Sequence, residues 1–306
     1  MLLPADTKTL PLTQTKPRYR GRFAPSPTGQ LHMGSLVAAL ASYLDAKANS
    51  GSWFIRMEDL DPPRELAGAA SAILNSLEAH GLHSDQPVLW QSQRQQQYQQ
   101  ALDQLVARGE AFVCQCTRSQ LSQRGGYHLG RCCSDMPGAA ATRLLVDNTV
   151  ISFEDAIQGH YCQALADPGG DFVLHRKDGL FAYQLAVVVD DAAQGISHII
   201  RGSDLLDSTA RQIFLQQRLG LPGVSYGHIP VVSNQQGQKL SKQNHAQALP
   251  RHQPRANIVR ALAFLQQPLP ADPLTGTVDE LLAWAAAHWS PALIPSQLSA
   301  SEPGPL

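Results

Sequence analysis

Apolar residues along this chain fall into two kinds of stretch: short unbroken runs, and longer segments in which they return every three or four positions. "RYRGRFAP" at 18–25 reads as a strand ending at Pro25, "SLVAALASYLDAKANSG" at 35–51 as a helix closed by Gly51, and "SWFIRMED" at 52–59 as a second strand. That order predicts a βαβ unit and hence a parallel sheet. "ELAGAASAILNSLEAHGL" and "RQQQYQQALDQLVARGE" predict two further helices, the second with Tyr98, Leu102, Leu105 and Val106 on one face. The short apolar runs of "TRLLVDNTVISFEDAIQGHYC" predict the strands of an insertion. In "FAYQLAVVVDDAAQGISHIIRGSDLL" the runs "VVVDD" and "HIIRG" predict buried strands. A helix over Ser208–Leu219, a polar loop "SNQQGQKLSKQNHA", a helix near Ala256–Phe264 and a Pro/Ser-rich tail complete the pattern. Residues 1–16 are polar and proline-dotted and predict a loose arm, and no internal repeat is present.

Composition narrows the class. With 306 residues, 24 basic against 25 acidic groups and a formal charge of −1, the balance gives no support to wholesale wrapping of nucleic acid, although a local basic face is compatible with it. Five cysteines, four of them between Cys114 and Cys133, do not form a secreted disulfide framework and suit a reducing, cytoplasmic setting with a metal site. The first twenty residues lack a signal-peptide pattern, and no stretch approaches the ~18 apolar residues of a membrane span, so a soluble protein, by default a monomer, is expected.

The segment "GRFAPSPTGQLHMGSLVAALASYL", residues 21–44, sits where a strand hands over to a helix. There the free N–H groups and positive end of a helix favour phosphate, and small residues let it approach. Gly29, Gly34 and Ser35 supply that smallness, and His32 adds a donor. The spacing matches neither G-x-G-x-x-G nor a P-loop, and alone it suits a tight turn with a surface histidine equally well.

Four ordered segments change the weighting: "RFAPSPTGQLHMGSL", "RMEDLDPPR", "VVVDDAAQGISHIIRGSDLLDSTARQ" and "QKLSKQN". Together they resemble the class I aminoacyl-tRNA synthetases of the glutamyl branch, over about Arg20 to Asn244. "HMGS" is similar to the HIGH signature, with Ser35 in place of its second histidine, and "KLSKQ" to the KMSKS loop. The resemblance implies ATP, used with Mg²⁺, as substrate, bound by Gly29, His32, Gly34, Ser35, Lys239 and Lys242. His32 would stabilise the phosphates in the transition state, Lys242 would hold the departing pyrophosphate and Lys239 would assist it. It further implies a glutamate site formed by Arg22, Phe23, Ala24, Pro25, Ser26, Glu58, Tyr183 and Arg201. Glu58 would meet the ammonium and Arg201 the side-chain carboxylate, the pairing that a free dicarboxylic amino acid demands. Seen alone, either Glu58 or Arg201 reads better as a strand-end charge in a surface pair.

In "CQCTRSQLSQRGGYHLGRCC", Cys114-x-Cys116 and a further cysteine sixteen residues on suit one structural Zn²⁺ held tetrahedrally by four protein ligands. Where the relatives carry Y-x-G-x-C, this chain reads His128-Leu129-Gly130-Arg131-Cys132, which puts His128 in the tyrosine's place and Tyr127 one residue earlier. The expected ligands are Cys114, Cys116, His128 and Cys132, with Tyr127 as the alternative fourth, and Cys133 and Cys162 as ordinary thiols.

The fold class expected is therefore α/β, a class I synthetase Rossmann-type parallel sheet with an inserted zinc-containing subdomain and a short C-terminal helical region. The domains expected are an arm over 1–16, the first catalytic half over 17–107, an insertion over 108–180, the second half over 181–245 and a helical region with a tail over 246–306. About sixty residues follow Lys242, too few for the large anticodon-reading domains of a glutamyl-tRNA synthetase. That shortness, the cysteine segment and "KLSKQ" together resemble the glutamyl-queuosine tRNA(Asp) synthetases. This resemblance implies tRNA-independent activation of L-glutamate and its transfer to queuosine in the anticodon loop of tRNA(Asp). The competing readings are a short glutamyl-tRNA synthetase charging the 3′ end of tRNA(Glu), and a non-catalytic amino-acid- or RNA-binding paralogue.

Overall fold

A computed structural model describes residues 18–123, 125, 128, 130–131, 138–166, 170–234, 240, 248–250 and 252–302. The N-terminal arm, Tyr127, Cys132, Cys133, Lys239 and Lys242 lie outside the described residues.

The first alternation folds as its pattern predicts. Strand β1 (Arg20–Phe23), helix α1 (Met33–Ala48) and strand β2 (Ser52–Met57) form a βαβ unit, with β1 and β2 parallel from Arg20↔Ser52 to Phe23↔Ile55. His32 caps α1: its backbone is extended and its Nδ1 accepts the Ser35 N–H at 3.3 Å. Gly51 follows the end of α1, where an added Cβ would lie 2.6 Å from the Tyr19 carbonyl, so only glycine fits that close approach. Helix α2 (Ala69–Ala79), strand β3 (Leu89–Trp90, parallel to β2) and helix α3 (Gln95–Ala107) follow. On α3, Tyr98, Leu102 and Leu105 are buried, but Val106 is 47% exposed. Stepping 100° per residue leaves Val106 about 80° from Tyr98, at the edge of the stripe and not within it.

Strand β4 (Ala111–Cys114), the short helix α4 (Arg118–Ser122) and strand β5 (Ala141–Leu144) lead to the hairpin β6 (Val150–Asp155) and β7 (Gly159–Ala164), then to β8 (Phe172–His175). β4, β5 and β8 make a small antiparallel sheet, whereas β6 lies beside the later strand of residues 225–229 through Tyr226↔Asp155.

The run "VVVDD", expected as a strand, is part of helix α5 (Tyr183–Ala193). Leu185, Ala186, Val187, Val188, Asp190 and Asp191 are all buried, so the helix lacks the polar face that marks a 3.6-residue period, and an apolar run of this length cannot be told from a core strand. "HIIRG" is a strand as expected, β9 (His198–Gly202), followed by helix α6 (Leu206–Leu219) and strand β10 (Ser225–Ile229), parallel to β9 with His228 opposite Arg201. Strand β11 (Val231–Ser233), helices α7 (Pro254–Phe264) and α8 (Val278–Ala287), and strand β12 (Ser299–Ser301) complete the chain. The stretch expected as a tail thus carries a helix with a Thr277/Glu280 capping box, and its end pairs with β11. No helix among the described residues is long and apolar enough to cross a membrane.

One apolar core joins both faces of α1 to β1, β2, α7 and α8, with Leu36, Leu40, Leu44, Ile258, Leu262 and Leu281 almost fully buried. A second gathers α3, α5 and α6 around Tyr98, Leu185 and Phe214. Where these bodies meet, Asp191 of α5 accepts hydrogen bonds from Arg22 of β1 (Nε at 3.1 Å) and Arg56 of β2 (Nη1 at 2.7 Å). Burial alone would raise the Asp191 pKa, but the two guanidiniums outweigh it and hold the carboxyl below its ordinary value. Asp191→Ala leaves two buried cations uncompensated and should lower unfolding free energy by about 3–5 kcal/mol, measured by denaturant titration. In the parent protein the Asp191 contribution should be complete above the unfolded carboxylate value of about 3.9 and disappear as pH falls through the lower folded value. A loss under about 1 kcal/mol in Asp191→Ala, the scale of an exposed ion pair, would contradict this.

Candidate active site

At the C-terminal ends of β1, β2 and β9, where a parallel sheet places its ligands, two cavities share a wall made of Phe23, Ser26, Thr28, Ala38 and Gly202. The larger, about 1040 Å³, is lined by Arg22, Phe23, Ala24, Ser26, Glu58, Tyr183 and Arg201, bringing together seven of the eight residues expected for an amino acid. Pro25 faces the smaller cavity of about 370 Å³, which His32, Gly34 and Ser35 also line. Gly29 borders neither cavity.

Local bonds explain why these segments converge. The Pro25 carbonyl accepts the Glu58 N–H at 2.9 Å and the Pro27 carbonyl accepts the Leu66 N–H at 3.0 Å, pinning the loop after β1 to the chain leaving β2. Because β1 and β2 are parallel and in register, their polar ends emerge side by side. His32 turns its ring inward on Ser35, with Nε2 3.1 Å from Oγ, so the histidine and serine of "HMGS" form one polar unit on the smaller cavity.

Charges in the larger cavity are unequally committed. Arg22 is 4% exposed and gives Nε and Nη2 to Asp191, so it lines the wall mainly as part of the framework. Arg56, fully buried, joins Asp191, Gln194 and Glu58, the last at 3.4 Å. Burial pushes the Glu58 pKa up, while Arg56 and Arg22 pull it down without cancelling the rise. A bound ammonium beside Glu58 would favour its charged form. Across the cavity Arg201 is 4% exposed; Nε and Nη2 are bonded within the protein, but the buried Nη1 has no partner. An unpaired guanidinium nitrogen away from water costs free energy until an anion meets it. Burial raises the Tyr183 pKa, keeping the phenol neutral in the same wall.

Several residues of this arrangement take no role from the sequence: Arg56, Asp191 and Thr209, although they lie in the four ordered segments, and Gln91, Asp155 and His228, which lie outside them. A readable signal did exist in Asp190 and Asp191, an acidic pair inside an apolar run, because buried carboxylates need partners. On a helix, neighbours point about 100° apart. Asp190 therefore turns to Gln91, Arg94 and Tyr98 (2.8, 2.5 and 2.6 Å) while Asp191 turns to β1 and β2.

Some distance along the chain, Cys114, Cys116 and His128 present Sγ, Sγ and one ring nitrogen within 4.8 Å of one another. His128 Nε2 lies 3.2 Å from Cys114 Sγ, and Nδ1 lies 3.0 Å from the buried Asp171 carboxylate. A carboxylate behind a ligating imidazole fixes its tautomer and orientation. Cys162 is exposed and apart from this group.

The family described as "tRNA synthetases class I (E and Q), catalytic domain" matches residues 18–139 and 133–266. A glutamyl-Q tRNA(Asp) synthetase of Pectobacterium atrosepticum is 50% identical over 282 residues, covering 92% of this chain and 88% of the relative. The chain belongs to the glutamyl-Q tRNA(Asp) synthetase family. The member from Klebsiella pneumoniae is also 50% identical, over 94% of this chain and 99% of its own. A solved glutamate-tRNA synthetase from Elizabethkingia anophelis superposes with a TM-score of 0.78 at 25% identity, covering 93% of this chain and 68% of that one. In this glutamyl-Q tRNA(Asp) synthetase family member, the two cavities therefore sit in a class I synthetase fold.

Proposed function

We propose that this chain is a ligase that activates glutamate with ATP and transfers it to queuosine in tRNA(Asp), forming glutamyl-queuosine. Family membership supports the overall reaction. The observation that carries the amino-acid assignment is that Arg201, buried and with its Nη1 unpaired, lines the same cavity as Glu58. An amino acid with a carboxylate side chain satisfies both ends: its ammonium meets Glu58 and its side chain meets Arg201. Arg22, held by Asp191, keeps that end of the wall in place, and the α-carboxylate is left free to react at the shared wall.

In the first step a glutamate α-carboxylate oxygen attacks the α-phosphorus of ATP, forming the adenylate as the bond to pyrophosphate breaks. Positioned donors and cations stabilise the developing phosphoryl charge, so no covalent protein nucleophile is required. The assigned donors are His32 in the smaller cavity and Lys239 and Lys242, with Gly34 and Ser35 giving room for the phosphates and Mg²⁺ accompanying ATP. In the second step a hydroxyl of the queuosine cyclopentene diol attacks the activated carbonyl, loses its proton and displaces AMP. A vicinal diol on a five-membered ring presents the geometry of a terminal ribose, so one catalytic core serves.

Glutamate-dependent exchange of pyrophosphate into ATP should proceed without any tRNA. Lys242→Ala should slow it by ~10²-fold or more, the effect of removing one preorganised electrostatic stabiliser, and His32→Ala should slow it as well. Arg201→Ala should instead raise the glutamate KM. Normal exchange in all three variants would refute the assigned roles.

Labelled glutamate should enter queuosine-containing tRNA(Asp) and survive removal of its 3′-terminal nucleotide, and a queuosine-free transcript with an intact 3′ end should take up none. Label on tRNA(Glu) that vanishes with its 3′ end would favour the short glutamyl-tRNA synthetase.

The donor set of Cys114, Cys116 and His128 fits Zn²⁺, with Cys132 as the fourth ligand and Asp171 supporting His128. Four protein ligands leave no position for substrate, so the metal supplies stability and no chemistry. Elemental analysis of protein prepared without added metal should find about one zinc per chain. His128→Ala should lose it far more readily than Tyr127→Phe, and the reverse ranking would make Tyr127 the ligand.

A further inference from the structure

Arg201 does not hold its own position. On the neighbouring strand β10, His228 is completely buried and lies directly opposite it in register. His228 Nε2 is 3.0 Å from Arg201 Nε and 3.1 Å from Thr209 Oγ1, and its Nδ1 is 2.5 Å from Asp155 Oδ2 at the end of β6. Donor and acceptor capacities fix the state of the ring. An ionised Asp155 can only accept: Oδ1 takes the N–H groups of Ile157, Gln158 and His228 at 3.0, 2.9 and 2.9 Å, so Oδ2 receives the ring proton from Nδ1. Arg201 can only donate, so Nε2 must carry a lone pair. The Thr209 hydroxyl accepts from Arg201 Nη2 at 2.7 Å and has two acceptors for its single proton, the Leu205 carbonyl and His228 Nε2, each at 3.1 Å.

We propose that Asp155, His228 and Thr209 form a positioning relay, with His228 held as the Nδ1–H tautomer, that sets the Arg201 guanidinium to receive the side-chain carboxylate of glutamate. The proposal rests on the assignment of Arg201 to that carboxylate. Two donors of the guanidinium, Nε and Nη2, are tied down, which fixes its plane and leaves Nη1 as the nitrogen without a partner in the protein. A protonated His228 would set an N–H against the N–H of Arg201, cation against cation. Burial together with Arg201 depresses the His228 pKa despite opposition from Asp155 and Asp204, which keeps the acceptor present at neutral pH. The other neighbour on its own strand, Tyr226, stacks at 6.1 Å and remains neutral, its pKa pushed up to about 12.

Asp155→Asn is the discriminating substitution. Its Oδ1 can keep the three backbone N–H groups, but its amide N–H now faces His228 Nδ1, which must accept; the ring proton moves to Nε2 and confronts Arg201. The glutamate KM in pyrophosphate exchange should rise about 10- to 100-fold, the range expected when a buried charged donor loses its acceptor. The ATP KM and the rate at saturating glutamate should change little, and discrimination between glutamate and glutamine should fall by the same factor. Nitrogen NMR of the imidazoles, with the His228 signals identified by their loss in His228→Gln, should report Nδ1–H in the parent protein and Nε2–H in Asp155→Asn. A second pair covers the case in which Asp155→Asn does not fold: His228→Gln keeps an acceptor oxygen near the Nε2 position and should stay within about threefold of the parent KM, whereas His228→Leu should lose at least tenfold. Arg201→Ala is measured in the same assay. If it leaves the glutamate KM unchanged, the assignment of the carboxylate to Arg201 is wrong. If it raises the KM while Asp155→Asn and His228→Leu leave it unchanged, or if His228→Gln and His228→Leu behave alike, the relay is overturned.

Discussion

One carboxylate between two guanidiniums organises the catalytic half of this molecule. Asp191 reaches Arg22 and Arg56 across 169 and 135 residues of sequence, tying the ends of β1 and β2 to the side of α5. Such a group is costly to bury and holds only while each member is present. The same set gives the site its electrostatics, because Arg56 also approaches Glu58 and Arg22 lines the cavity wall. Two buried cations are thereby matched by two buried carboxylates before any ligand arrives. Arg201 is a third buried cation left outside that balance, and the net negative charge of glutamate is what compensates it.

That balance explains why Arg22 and Arg201, alike in burial, play different parts. The Nε and Nη2 of Arg22 are turned toward helix α5, and its charge is compensated there. The bonds of Arg201 run through the neutral groups His228, Thr209 and Leu205, and one nitrogen remains unsatisfied. A guanidinium solvated by dipoles and short of one acceptor discriminates strongly between a carboxylate and an amide, since the amide brings no charge and half as many acceptor oxygens. In the proposed reaction, selectivity for glutamate is thus a property of a second layer of side chains as much as of the cavity lining.

Much of this was legible in the sequence, for reasons that can be named. The βαβ unit was readable because α1 has polar boundaries and the strands flanking it end at Pro25 and at an acidic turn. The site segments were readable only as a set: alone, Glu58 and Arg201 were ordinary strand-end charges, and it was the ordered series of segments resembling the synthetases that singled them out. Helix α5 was misread because burial all round erased its period, and with it went the meaning of Asp190 and Asp191. His228 and Asp155 were invisible for another reason: they are brought together only by the lateral order of β6, β10 and β9, and a lone histidine in a strand has no spacing to betray it. The relatives' Y-x-G-x-C frame pointed to His128, whose ring nitrogen lies within 4.8 Å of the sulfurs of Cys114 and Cys116, but its buried partner Asp171 stands 43 residues away with no pattern linking the two.

The C-terminal segment shows how much of a site can depend on residues that never touch it. Its composition suggested a tail, yet α8 fastens it to the main core through Leu281, Leu282 and Ala285, and Trp289 donates to Asp45 of α1 at 2.8 Å. From that anchor the chain runs back so that Ser299–Ser301 pairs along β11, while the Leu298 carbonyl accepts from Val231 N at 3.0 Å and from the Ser203 hydroxyl. Val231 and Val232 line the smaller cavity, and Ser203 follows Gly202 in the wall shared by both cavities. β11 is a three-residue strand that would otherwise present an open edge beside the site, and so short an element has little stability of its own. Its position, and with it the shape of the cavity assigned to ATP, is set by backbone bonds to a segment nearly seventy residues further along the chain.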